Sequence, residues 1–240
     1  MSRPIILLGC GEHGRVLLDV LLDQKFIVLG IADKNVEVNT KIYGIPVLGD
    51  DDFILKTYKP DSVDLVNGIG SIGDLSIRSK IYEKFKTLGY GFKTIIHPSA
   101  VISSRVILKE GVQVLAGVVI NTETEVGENT IINTRSSIDH GCVIGRNVHI
   151  APGCVLSGCV RVGENTHVGT GSTVRQGIQI GSNTLIGVGS VIVKDITSGV
   201  VAYGSPTKVL YSNNINNTGW GGVYKTHKNL FSSLQRRTTA

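Results

Sequence analysis

The chain has 240 residues, 41% of them hydrophobic and 18% charged, enough to bury a core in one large or two modest domains and too apolar for a disordered chain. Its net charge of +5 is unevenly spread: after Pro206 come Lys208, Lys225, Lys228, Arg236 and Arg237 and no acidic residue. No basic patch with interleaved aromatics marks the body of the chain, so nucleic acid is not an expected partner. Cys10, Cys142, Cys154 and Cys159 lack CxxC or zinc spacing and read as small buried hydrophobes in a reducing compartment. The N-terminal MSRPIILLG is too short for a signal peptide and no apolar run reaches membrane-spanning length, so a cytoplasmic protein is expected.

In chain order, Ile5–Leu8 reads as a buried strand that runs into Gly9-Cys10-Gly11-Glu12-His13-Gly14 and then a helix with Val16, Leu17, Val20 and Leu21 on one face. Phe26–Ala32 is a second strand ending at Asp33. Ile45–Leu48 is a short third, and Pro46, which cannot donate to a ladder, makes it an edge strand or no strand. Val63–Val66 is a fourth, running into Asn67-Gly68-Ile69-Gly70. A helix is expected from Asp74 as N-cap to Gly89 as stop, with Ile77, Ile81 and Phe85 as its apolar stripe. The alternation implies a small Rossmann-like parallel sheet over residues 1–94.

From Ile102 every sixth residue is aliphatic: Ile102, Leu108, Val114, Ile120, Val126, Ile132, Ile138, Ile144, Ile150, Leu156, Val162, Val168, Val174, Ile180, Ile186 and Ile192. Four residues further on lies a column of small residues, among them Thr124, Thr130, Ser136, Cys142, Cys154, Thr166, Ser172, Thr184 and Ser190. Gly127, Gly145, Gly163, Gly169, Gly181 and Gly187 follow the aliphatic. A period of six is neither helical nor a simple strand alternation. It describes a short strand and a tight turn repeated in register, with the aliphatic inside, the small residue at the corner, and Gly and Asn supplying unusual backbone angles at the bends. This all-β region is expected over 95–209, joined to the first by Ile95-Ile96-His97-Pro98-Ser99-Ala100, with a polar basic tail over 210–240. In that tail Trp220, Tyr224 and Phe231 can dock on the body or stay loose.

The glycines 9, 11 and 14 suit close backbone approach to a pyrophosphate at a helix N-terminus, and Asp33 stands where a carboxylate meets a ribose hydroxyl. A half-size sheet favours a mononucleotide over NAD, with His13 either a phosphate donor or an ordinary turn histidine. In the hexad region His149 and His167 are one coil apart. A zinc site is a weaker reading because no ligand spacing is present, and His167 reads as a solvated corner side chain. His140, beside Asp139, is required by no hexad rule. Acyl transfer needs a general base, and imidazole suits neutral pH. A donor to the developing oxyanion is also needed, from a backbone amide or His149.

The hexad pattern resembles the hexapeptide-repeat acyltransferases, which implies that three hexads make one coil of a left-handed parallel β-helix. The hand comes from that resemblance, since general rules favour right-handed crossovers. The Gly-rich loop with His13-Gly14, the His97–Ala100 link, Asn133-Thr134, Asp139-His140, His149 and Gly204-Ser205-Pro206-Thr207-Lys208 together resemble the sialic acid O-acetyltransferase and bacterial nucleotide-amino-sugar N-acetyltransferase family. The resemblance implies a homotrimer of surface-glycan synthesis (lipopolysaccharide or O-antigen), with acetyl-CoA as cosubstrate, no metal, and a UDP-, dTDP- or GDP-linked amino sugar as acceptor. It implies His140 as base, with Asp139 assisting, and His149 against the acetyl group. CoA contacts fall on His149, Thr170, Val188, Gly204, Pro206 and Lys208. Nucleotide contacts fall on Gly9, Gly11, Glu12, His13, Gly14, Asp33, Lys34 and Gly70. Gly141 stands where some relatives carry a carboxylate after the base. Glu12 replaces a small residue, and Thr207 an alanine. O-acetylation of a sialic-acid-type sugar and a non-catalytic nucleotide-sugar scaffold are the alternatives.

Overall fold

The computed structural model describes residues 3–71 and 75–212. Asp74, expected as an N-cap, and Trp220, Tyr224 and Phe231 lie outside these residues. An N-terminal sheet has the order β3-β4-β2-β1-β5-β6. Its strands are β1 Ile5–Leu8, β2 Val28–Ala32, β3 Lys41–Ile42, β4 Ile45–Gly49, β5 Asp64–Asn67 and β6 Gly91–Phe92, with helices α1 Glu12–Asp23, α2 Asp51–Thr57 and α3 Leu75–Thr87. All neighbours pair parallel except β3 with β4. Pro46 is tolerated because β4 pairs on that side only with two-residue β3, which takes the edge. Helix α2, absent from the sequence reading, starts at Asp50, whose carboxylate accepts from the Phe53 amide at 2.9 Å. Val16 and Ile77, expected on buried stripes, are exposed, and Leu18 and Arg78 are buried instead.

From Ile95 onward the chain winds a left-handed β-helix of two-residue strands, three to a coil. A first face stacks Ile95–Ile96, Gln113–Val114, Ile131–Ile132, His149–Ile150, His167–Val168 and Leu185–Ile186, and ends on Val200–Tyr203 and antiparallel Lys208–Ser212. A second face stacks Val101–Ile102, Val119–Ile120, Ser137–Ile138, Val155–Leu156, Thr173–Val174 and Val191–Ile192. The third runs from Ile107–Leu108 to Gln179–Ile180. The aliphatic column points inward and is buried from Val114 to Ile192, with Ile102 and Leu108 half-buried in the first coil.

The small column is buried and hydrogen-bonded. Thr130 Oγ1 donates to the Gly145 carbonyl and Thr166 Oγ1 to Gly181, both at 2.8 Å. The Cys154 thiol makes the same reach to Gly169 at 3.2 Å. A buried corner carbonyl needs a donor, so Ser, Thr and Cys interchange here where Ala would leave it bare. Cys159 is the exception among the cysteines and is exposed.

Positive φ falls one residue before the small column, at Asn129, Asn147, Asn165, Asn183, Gly141, Gly153 and their equivalents. The glycines that follow the aliphatic serve another purpose. A Cβ on Gly163 would stand 2.4 Å from the Ser182 nitrogen and 2.7 Å from the Gly181 carbonyl carbon, so the next coil's backbone excludes it. Gly163→Ala is expected to destabilise by roughly 1–3 kcal/mol, the scale of overpacking in a well-packed core. Urea unfolding with an unchanged midpoint would refute this. Among the described residues no helix is long and apolar enough to cross a membrane.

Candidate active site

The first face differs from the others in what covers it. The outward residues Gln113, Ile131, His149, His167 and Leu185 are all buried. The N-terminal domain docks here through Arg78, whose Nη1 donates to the carbonyls of Asn67 (2.9 Å) and Ile69 (2.8 Å) while Nε donates to that of Asn129 (3.1 Å). Asn67 joins a ladder of corner amides, donating to Asn129 Oδ1, with Asn129 donating to Asn147 and Asn147 to Asn165. His167, expected in solvent, is therefore a correction. It sits on a strand, 4% exposed, its ring edge-on to that of His149 with centroids 4.7 Å apart. Hexad spacing cannot reveal that another domain covers one face.

The Gly-rich loop lies at the rim of this junction. Gly9 has φ +90°, and a Cβ on Gly14 would stand 2.2 Å from the Gly9 carbonyl oxygen. A Cβ on Gly11, in contrast, would meet open space. Gly11 caps α1 without a side-chain hydrogen bond, so first-turn amides remain open to an anion. Glu12 is exposed in that turn. The Asp33 carboxylate accepts from the Cys10 amide (2.9 Å), the Cys10 thiol (3.3 Å) and the Asn35 amide (2.9 Å). Burial pushes the Asp33 pKa up, but these donors and Lys34 outweigh it and hold the group below its ordinary range. A Cβ on Gly70 would stand 3.5 Å from the His13 β-carbon, an ordinary contact.

His13 and His149 are both held neutral. His13 Nε2 lies 2.8 Å from Gln113 Oε1, which can only accept, so Nε2 carries the proton. Gln113 in turn donates to the Asn67 carbonyl at 2.8 Å. His149 Nε2 faces the Asn133 side-chain nitrogen at 3.0 Å, and the Asn133 oxygen accepts from the Thr134 amide at 2.7 Å. Nε2 is thus an acceptor, and Nδ1–H donates to the Ser71 hydroxyl. Burial pushes the His13 pKa down to about 4, aided by Arg78. For His149 burial and then the neighbours His167, His13 and Arg78 lower it well below the ordinary value. The sequence marks Asn67 only as the residue after a strand and gives Ser71 and Gln113 no role, while Arg78, a cation on an expected apolar helix face, is the one with a local signal. Among the described residues no three His, Cys, Asp or Glu side chains converge as a metal group.

His140 lies elsewhere. It occupies the turn between the second and third faces, exposed, with its backbone nitrogen donating to Asp139 Oδ1 at 2.8 Å. Asn121 donates to the same oxygen at 2.9 Å. These two bonds, Asn121 first, hold Asp139 below the ordinary carboxylate pKa. Asp139 thus shapes the turn through the main chain of His140. The positions read for CoA line the opposite edge of the second face. Thr170 and Val188 are exposed at the first–second corner and linked by Gly189 N to Thr170 O at 2.8 Å. The Gly204–Thr207 turn, with Pro206 after a cis bond, leads into Lys208 near the same edge, and the Thr207 amide donates to the Val191 carbonyl at 2.9 Å. The chain therefore keeps His140 on one edge of the second face, and His149, Thr170 and Val188 on the first face and the other edge.

The family model for the PglD N-terminal domain matches residues 4–85, and that for the bacterial transferase hexapeptide (six repeats) matches residues 123–158. No curated protein matches in sequence. Among solved structures, the acetyltransferase domain of PglB from Neisseria gonorrhoeae is 32% identical, with a TM-score of 0.80 over 87% of this chain and 100% of that one. A variant of perosamine N-acetyltransferase from Caulobacter crescentus, in complex with CoA and GDP-perosamine, is 36% identical, with a TM-score of 0.80 over 87% and 97%. WeeI from Acinetobacter baumannii, 23% identical with a TM-score of 0.77 over 87% and 100%, shares the fold.

Proposed function

This chain belongs to the hexapeptide-repeat acetyltransferases with a PglD-type N-terminal domain, and from that membership we propose that it N-acetylates a nucleotide-linked 4-amino sugar with acetyl-CoA. It is an acyltransferase. The observation that carries the acceptor class is 36% identity along nearly all of an enzyme described with CoA and GDP-perosamine, joined to a loop at the start of α1 that leaves amides open to phosphate. In the reaction, the sugar amine attacks the thioester carbonyl and a C–N bond forms. The tetrahedral intermediate collapses, the C–S bond breaks, and the proton remaining on the former amine passes to the departing sulfur, so CoA leaves as the thiol. His140 removes the ammonium proton that would otherwise block attack. The oxyanion falls to a backbone amide, because both nitrogens of His149 are engaged. His149 walls the acetyl subsite, CoA runs along Thr170, Val188 and the Gly204–Lys208 turn, and the nucleotide rests on Gly9–Gly14, Asp33, Lys34 and Gly70.

An amine fits the base better than a hydroxyl. The ordinary pKa of imidazole lies near that of a sugar amine flanked by oxygens, whereas a hydroxyl gains more from a polarised base. The carboxylate beside His140 spends its recorded bonds on the main chain and Asn121. Mass spectrometry of products from acetyl-CoA and UDP-, dTDP- and GDP-linked 4-amino sugars, each beside its 4-hydroxy counterpart, tests this. Acetylation of one amino sugar is expected. Faster reaction of a hydroxy sugar or free sialic acid would overturn the amine assignment and favour O-acetylation.

Because the two halves of the site lie on opposite edges of one face, a second copy is needed to bring His140 against a CoA edge. A homotrimer in which adjacent β-helices share each site is therefore proposed. Light scattering is expected to give three times the chain mass of 25.6 kDa. An active monomer would refute shared sites.

A further inference from the structure

The residue directly above His140 in the next coil is Gly158. The two occupy the same step of the hexad, in the corner column Thr122, His140, Gly158 and Gln176. From Glu110 to Val188 every other residue at this step carries a side chain. A Cβ built on Gly158 would stand 2.5 Å from both Cε1 and Nε2 of His140 and 3.2 Å from Cδ2. The imidazole therefore occupies the space where a side chain would be. Gly158 is not among the residues with positive φ, so its backbone does not call for glycine. No coil backbone crowds it either, unlike Gly145 or Gly163. The Cys159 amide donates to the His140 carbonyl at 2.8 Å, which fixes the spacing between the two coils at this corner.

We propose that Gly158 is a positioning residue for acetyl transfer: its missing side chain gives the His140 imidazole its resting place and so sets where Nε2 meets the acceptor amine. The proposal rests on the general-base reading of His140. An exposed imidazole otherwise has free choice of rotamer. Here one orientation gains contact with the upper coil, and the alternative that a Cβ would impose moves Nε2 by about 1 Å or more, a displacement that can cost about a hundredfold in rate.

Gly158→Ala tests it, since alanine suits the backbone and only the ring must give way. Turnover is expected to fall roughly 10- to 100-fold, with KM for both substrates and the melting temperature close to the parent's. The His140 imidazole resonances should shift, and its rate of carbethoxylation by diethyl pyrocarbonate should change. In a His140→Ala background the same substitution should have little further effect. Parent-like turnover in Gly158→Ala, or an equal fold loss with and without His140, would overturn the proposal. His140→Ala with parent turnover would instead remove the general-base reading itself, an outcome separate from a failed coupling between the two residues.

Discussion

His140→Ala is expected to lower kcat by roughly two to four orders of magnitude, the scale of a lost general base, or about 3–5 kcal/mol of barrier. The fold should be indifferent to it. The side chain is exposed, and the bonds that hold the turn are made by main-chain atoms: the nitrogen to Asp139 and the carbonyl to the Cys159 amide. Alanine keeps both. KM for acetyl-CoA should also hold, because the proposed CoA edge lies across the second face from His140. Steady-state release of CoA thiol, measured beside a thermal melt, checks both halves. A variant with near-parent kcat would take His140 out of the mechanism. One with low kcat and a melt depressed by many degrees would mean that the residue matters to the coil.

The coil was legible because each hexad step demands one residue class. One position is inward aliphatic, one is a corner donor, and one carries left-handed backbone. Sixteen consecutive aliphatics at a fixed spacing leave no other reading. The candidate site was legible in its parts and not in its assembly. His140 stood out because nothing in the hexad asks for it. His149 and His167 hold an outward strand position, and such a position looks solvent-facing until another domain docks on it. That docking is carried by Arg78, Asn67 and Gln113, whose partners are up to 100 residues away in sequence, beyond the reach of any local pattern. Val16 and Ile77 failed for the related reason that a helix stripe gives a period but not the width of the covered face. The glycines were the subtler error. Glycine and asparagine do take the left-handed bends, as expected, but at the step before the small column, whereas the glycines following the aliphatic are kept for coil-to-coil contact.

Acid is expected to unfold the protein early, through the buried imidazoles at the domain junction. Burial pushes His13 and His167 down to about 4, with Arg78 adding to the effect at His13, and His149 lies well below its ordinary value. The sign follows from where the protons go. In the unfolded chain these groups take up protons as pH falls through about 6.5, while in the fold they stay neutral. The stability they contribute is fully present above that pH and drains away as pH drops toward 4. Each contributes up to about 1.4 kcal/mol per pH unit in the window. Two imidazoles with folded values near 4 can thus remove several kcal/mol, and His149 extends the loss to lower pH. At His149 the geometry gives the reason the ring cannot simply accept the proton. A proton on His149 Nε2 would face the Asn133 amide donor at 3.0 Å, with the Asn133 oxygen already tied to Thr134. Arg78, the cation beside His13 and His149, is held by the backbone carbonyls of Asn67, Ile69 and Asn129. At about 2–4 °C per kcal/mol for a chain of this size, the melting temperature should fall by roughly 10–20 °C between pH 7 and pH 4.5. His167→Phe, which keeps an aromatic edge for His149 and removes one titrating ring, should flatten that slope by about a third. An unchanged slope in His167→Phe would mean that the acid loss comes from carboxylate pairs such as Lys86–Glu110 and Arg3–Asp64 and not from the histidine junction.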